Sequence, residues 1–135
     1  MPVFPSQEWM DDFCAKIEAD PRSPAMAKAL EGVYRFVVEP HGALHDRHAY
    51  EISIVADGDG TRVAPQPVSA DPPRLTITAS YLRWVQMLRG ELDIPVAVML
   101  RRIKVSGDLS GVMGNMSDAR PLLDALSAVD STFLQ

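Results

Sequence analysis

Between Trp9 and Ile17 the apolar residues return every fourth position: Trp9, Phe13 and Ile17, with Met10 and Cys14 widening the stripe. That interval marks a helix with one buried face and predicts a helix over 6–19. Asp20-Pro21 ends it, because the residue before a proline is driven out of the helical region. Ser23-Pro24 predicts a second, short helix reaching Leu30, with the serine as N-cap and the proline in the first turn. Gly32 stops that helix and the period drops to two. Residues 33–38 read as a strand closed by Pro40. Over 50–55 apolar and polar residues alternate, which puts Tyr50, Ile52 and Ile54 on one face. Asp57-Gly58-Asp59-Gly60 is a hairpin turn signal. A strand over 61–64 follows, then a Pro-rich stretch over 65–73 suited to a sheet edge or a loop.

Alternation resumes at 75–78 with Leu75 and Ile77 inward, and the period then becomes helical again. Tyr81, Trp84, Val85 and Leu88 share one face of a helix capped by Ser80 and closed by Gly90. Asp93 caps another helix, with Pro95 in its first turn and Arg101 and Arg102 at its C-terminal end. In a last strand Ile103 and Val105 alternate with Lys104 and Ser106. Asp108 caps a helix carrying Leu109, Val112, Met113 and Met116 on one side. A final helix begins near Asp118, takes Pro121 in its first turn and presents Leu122, Leu123, Leu126 and Val129. No repeat or change of composition divides the chain. The expectation is one α+β domain over 1–135, with helices on one side of a mixed, mostly antiparallel sheet.

Composition adds little to that picture and excludes some functions. At 135 residues, 47% hydrophobic and 23% charged, the chain is long enough to bury a real core. Its longest apolar run, 94–100, falls far short of the roughly 18 residues that cross a bilayer. The first residues are acidic and lack the basic start of a secretory leader, and Phe-Leu-Gln at the end is not a peroxisomal address. A cytoplasmic protein is expected. One cysteine, Cys14, permits no internal disulfide and no Cys-rich zinc site. The net charge of −5 argues against nucleic acid as a partner. Yet within 72–107 the basic residues Arg74, Arg83, Arg89, Arg101, Arg102 and Lys104 face only Glu91 and Asp93.

Candidate chemistry is sparse. His41, His45 and His48, with Asp46, stand at intervals that can chelate zinc, but no second cluster completes a site and the segment reads as a polar loop. The turn at 57–60 lacks the later ligands of a calcium loop, since Thr61 and Val68 occupy them. Gly107, Gly111 and Gly114 precede no Lys-Ser/Thr pair, which excludes a phosphate-binding P-loop. No Gly-x-Ser-x-Gly elbow is present, and no carboxylate pair is placed across a cleft by its spacing. No catalytic residue, metal ligand or cofactor site emerges. What remains is an apolar surplus on three helices, in Trp84, Met87, Leu88, Val98, Met99, Met113 and Met116. Methionine's flexible thioether suits irregular apolar surfaces. The same residues would also serve an ordinary core.

The segments RLTITAS, RGELDIP and AVMLRRIKVSGDLS stand in one order over 74–116. In that order and spacing the chain resembles the sterol carrier protein type 2 (sterol-transfer) family. Two features depart from the family pattern: Arg101-Arg102 replaces a small Ser/Gly step before the last strand, and the peroxisomal tail is missing. The resemblance implies a five-stranded sheet with an apolar tunnel between sheet and helices. It implies non-catalytic binding or transfer of a fatty acyl chain, sterol or other lipid. No catalytic residues carry over. The tunnel implied by the resemblance falls at Trp84, Leu88, Val98, Met99, Val105, Met113 and Met116, and Arg83, Arg89, Arg101 and Arg102 form a basic rim for a head group or transient membrane contact.

Three readings follow. The first is a lipid carrier. The second is an accessory module, monomer or homodimer, whose apolar groove is filled by protein. The third is a small-molecule enzyme using one of the three histidines, which requires a cavity those side chains reach. Ten arginines against three lysines hint at a GC-rich bacterial source, which favours an acyl or isoprenoid ligand over a sterol.

Overall fold

A computed structural model describes residues 2–134. A short strand, β1 (Val3–Phe4), precedes two helices, α1 (Gln7–Ala19) and α2 (Ser23–Leu30). Strands β2 (Gly32–Glu39), β3 (His48–Asp57) and β4 (Gly60–Gln66) then form an antiparallel meander. After β5 (Leu75–Ser80) come α3 (Tyr81–Leu88), α4 (Ile94–Met99), β6 (Lys104–Gly107), α5 (Leu109–Met113), α6 (Arg120–Ala128) and β7 (Thr132–Phe133).

The main sheet has the order β4-β3-β2-β5-β6. Only β2 and β5 run parallel, so the sheet is mixed and mostly antiparallel, as expected. Register sorts the faces. Tyr34 lies between Ile52 and Leu75, and Phe36 between Tyr50 and Ile77. Their side chains point to the helical layer, where Phe13 and Trp84 meet Phe36 edge-on at 5.9 Å each. Pro65 sits in β4, the edge strand, where a missing N–H costs no ladder bond.

Three of the caps are those the sequence predicts: Ser80, Asp93 and Asp108 each accept a hydrogen bond from a backbone N–H in the first turn of the helix they precede. Ser6, expected as the first helical residue, caps α1 in the same way. Ser23 differs. It lies inside α2, and its buried hydroxyl donates to the Glu18 carbonyl at 3.4 Å while Arg22 occupies the cap. Asp20 accounts for this by holding the Arg22 N–H at 2.8 Å, which fixes the residue before the serine as the cap. Arg101 and Arg102 also lie beyond α4, not in its last turn. Leu100 closes that helix, and Arg101 takes a left-handed conformation with φ 57°. Met116 and Asp118 fall in the turns between α5 and α6.

Two features escape the pattern reading. Strands β1 and β7 pair in parallel and tie the two ends of the chain together, a match of only two residues on each side. On the sheet face away from the helices, Glu51 is 1% exposed beneath the Pro-rich crossing. The Arg35 Nε donates to it at 2.7 Å, Gln66 Nε2 at 3.1 Å and the Ser69 N–H at 3.3 Å. Burial alone would raise this carboxyl, but those three donors outweigh it and hold Glu51 below the ordinary carboxylate range.

Candidate functional site: an apolar cavity under the C-terminal helices

The surplus of large apolar residues in the second half of the chain closes around a small void. Phe36, Leu75, Ile77 and Val105 form its floor on the sheet. Phe13 from α1 and Trp84 from α3 end it on one side. Ile94 and Val98 reach in from α4, and Leu109, Val112 and Met113 from α5. Met116, Ala119, Leu122, Leu123 and Leu126 complete the roof. Every lining side chain is apolar. The one polar handle among them, the Trp84 indole N–H, is already donated to the Val37 carbonyl at 2.9 Å.

The free space is about 50 Å³. Apolar cavities of about 150 Å³ hold a molecule the size of benzene, so in place of an open tunnel there is a narrow seam here, with the exposed Leu109 and Met113 at its rim. The aromatic wall explains where the seam stops. Phe13, Phe36, Trp84 and Leu126 also bound a second void of about 10 Å³ toward Phe4, Trp9 and Tyr50, so one layer of rings separates the two spaces.

Of the residues expected to line a tunnel, Trp84, Val98, Val105, Met113 and Met116 meet at this void. Leu88 is packed in the core at 5% exposure and does not reach it. Met99 lies outside, 79% exposed. The reason is helical phase. Ile94, Ala97 and Val98 recur at the i, i+3, i+4 spacing that turns one stripe of α4 inward, and Met99 falls off that stripe. Sequence reasoning missed the floor and the far wall. Phe13, Phe36, Leu75 and Ile77 carry ordinary core patterning; the register of β2 and β5 puts the last three under the void, and the packing of α1 on the sheet brings Phe13 to its end.

The arginines divide as well. An open cleft on the outer side of Val98 and Val105 is bounded by Arg101, Arg102 and Lys104, with Thr78, Ser80 and Glu39. Among the described residues, no ion pair holds those three cations, and Glu39 is paired with Arg47 at 3.5 Å. Arg83 is instead bonded to Gln86 Oε1 at 3.0 Å. Arg89 stands 4.9 Å over the Phe133 ring, on a surface shared with His41 and Leu134. The structure thus brings together two of the four expected rim arginines and adds Lys104.

The histidine loop stays apart from the void. His48 stacks on Tyr50, His41 is bridged through its backbone to Leu44, and among the described residues no three metal-ligating side chains converge. Chemically, a void with no polar lining can accept apolar groups by excluding water from them, and it offers no group to take or give a proton.

The fold has solved counterparts. A conserved hypothetical protein of Thermus thermophilus is 18% identical with a TM-score of 0.75, over 94% of this chain and 90% of that one. A crystal structure of sterol carrier protein 2 is also 18% identical, with a TM-score of 0.72 over 92% and 97%. The sterol carrier protein-2 of Aedes aegypti, solved in complex with palmitate, is 16% identical with a TM-score of 0.51 over 87% and 93%. No curated protein matches the chain in sequence. The model of the SCP-2 sterol transfer family, however, matches residues 10–120, from the first helix to the start of the last, and the chain belongs to that family.

Proposed function

We propose that the protein binds and transfers a hydrophobic ligand, without chemistry on it, in the space between the sheet and helices α4 to α6. The observation that carries this is a void with a wholly apolar lining, roofed by two very short helices together with α6. A family member solved with palmitate adds weight to an acyl chain as the ligand. Burying a 14-carbon chain offers a gross stabilisation on the order of 10 kcal/mol, part of which is lost to ordering and association. Because the void is so small, occupancy requires α4 and α5 to move away from the floor. The cleft beside Val98 and Val105 then receives a polar head, and an anionic head suits Arg101 and Arg102. The chain acts as one domain, over 1–135, in a bacterial cytoplasm, where an acyl or isoprenoid chain is a more available ligand than a sterol.

The test is native mass spectrometry of the purified protein, with organic extraction of whatever it releases. One lipid per chain is expected. A lipid-free chain that also refuses fluorescent fatty acids would end the carrier reading. Replacing Arg101 and Arg102 together by alanine should weaken anionic ligands at least fivefold more than neutral ones. Equal loss for both ligand types would remove the head-group role.

A further inference from the structure

We propose that the solvent side of α4, with the cations that follow it, is a docking surface for an anionic lipid bilayer. The proposal rests on the carrier reading, since a carrier must meet a membrane to exchange its ligand.

Helix α4 is apolar all round. Ile94, Ala97 and Val98 face inward, while Val96, Met99 and Leu100 repeat the same i, i+3, i+4 spacing on the outside at 45%, 79% and 56% exposure. A helix with two apolar faces belongs inside a protein or against a membrane, and this one lies at the surface. What stands beside the outer stripe decides the partner. Arg101, Arg102 and Lys104 follow directly and project into an open cleft, unpaired among the described residues. The backbone places Arg101 at a positive φ, where glycine is the usual residue.

The chain as a whole carries −5, so no general attraction draws it to an anionic surface. A cationic patch on an acidic body instead orients the molecule, turning this face toward negative charge and the rest away. Apolar side chains that enter the acyl boundary, flanked by cations at head-group level, form the pattern of an interfacial anchor. Docking there would place the α4 roof and its neighbouring cleft against the lipid that the void must accept.

Co-sedimentation with phosphatidylcholine vesicles containing phosphatidylglycerol, compared with pure phosphatidylcholine vesicles, tests this, with fluorescent fatty-acid binding in vesicle-free solution run in parallel. The wild type should bind the anionic vesicles at least tenfold more tightly, and high salt should weaken that binding. The double variant Val96→Glu/Leu100→Glu should lose at least tenfold in vesicle affinity while its fatty-acid affinity stays within twofold. A tryptophan reporter at Leu100→Trp should shift to the blue on anionic vesicles. Equal binding by the double variant, no preference for anionic vesicles, or an unshifted reporter would each overturn the proposal. So would a wild-type dimer that the double variant dissociates, without vesicle binding. Fatty-acid binding without vesicle binding rejects the docking surface and leaves the carrier standing. Vesicle binding without fatty-acid binding does the reverse.

Discussion

Cys14 lies 2% exposed on the inner stripe of α1, and burial, reinforced by the carboxylates of Asp11 and Glu18, pushes its thiol up to about 12. At pH 8 only about one part in 10⁴ would be thiolate, and thiolate is the reactive form. Ellman's reagent should therefore label the native protein at least ~100-fold more slowly than the denatured chain; rates within tenfold of each other would contradict the burial argument. The pH dependence has a definite sign. Above about pH 8.5 the unfolded chain releases the thiol proton while the folded chain keeps it. Stability should therefore fall as pH rises from 9 toward 12, less so in Cys14→Ala. This residue was readable from its place in a four-residue period. Met99 was not, because at the end of a six-residue helix a shift of one position turns a side chain from floor to solvent.

At the scale of elements, the caps and turns were legible because each is a local choice of backbone conformation. Their purpose was less so. Gly107, which ends β6, is the clearest case. It adopts φ 111°, and a Cβ there would lie 2.4 Å from the Arg74 carbonyl oxygen. That same carbonyl accepts the Asp108 N–H at 2.8 Å, and Asp108 caps α5. Glycine is thus required for β5 to come close enough to launch the roof helix. Gly107→Ala should destabilise the protein by about 3 kcal/mol in urea melts and disturb α5 most. A loss under about 1 kcal/mol would show that the close approach is soft. The Glu51 ion pair was invisible in the sequence for a different reason: Arg35 and Glu51 meet only through register, and the crossing over 65–73 buries them. Glu51→Ala should cost about 3 kcal/mol, the low end for a broken buried pair, because Arg35 retains some exposure. Since Glu51 is held below its ordinary range, the stabilisation it adds is present above about pH 4.3 and lost as pH falls through its folded value. A variant that melts like the wild type at pH 7 would argue that the pair adds nothing.

For the whole molecule, element order and the mixed, mostly antiparallel character of the sheet were legible from periods and turns. The count of five strands came from the family resemblance, and the strand order β4-β3-β2-β5-β6 is known only from the structure. The volume of the void was not legible either, because it depends on residues as far apart as Phe13 and Leu126, and no local period reports how closely they pack. Its small size has a consequence for the mechanism. The floor belongs to a sheet in which β2 and β5 are paired on both sides and β6 on one, whereas α4 and α5 have six and five residues, too few to be stable without packing. Expansion should therefore occur in the roof. A ligand that fills the opened space binds the folded chain and not the unfolded one. At about 100 times its Kd it adds about 2.7 kcal/mol, which for a chain of this size raises Tm by about 10 °C. Palmitate should produce such a shift in calorimetry, and its binding should carry a negative heat-capacity change from apolar burial. Val98→Trp adds bulk where the void meets the cleft, on a half-buried side chain with room to adjust outward. It should leave the unliganded Tm within a few degrees of wild type and cut the palmitate shift to less than a third. An undiminished shift would place the ligand elsewhere, and a wild type that palmitate does not stabilise would mean that the roof stays shut.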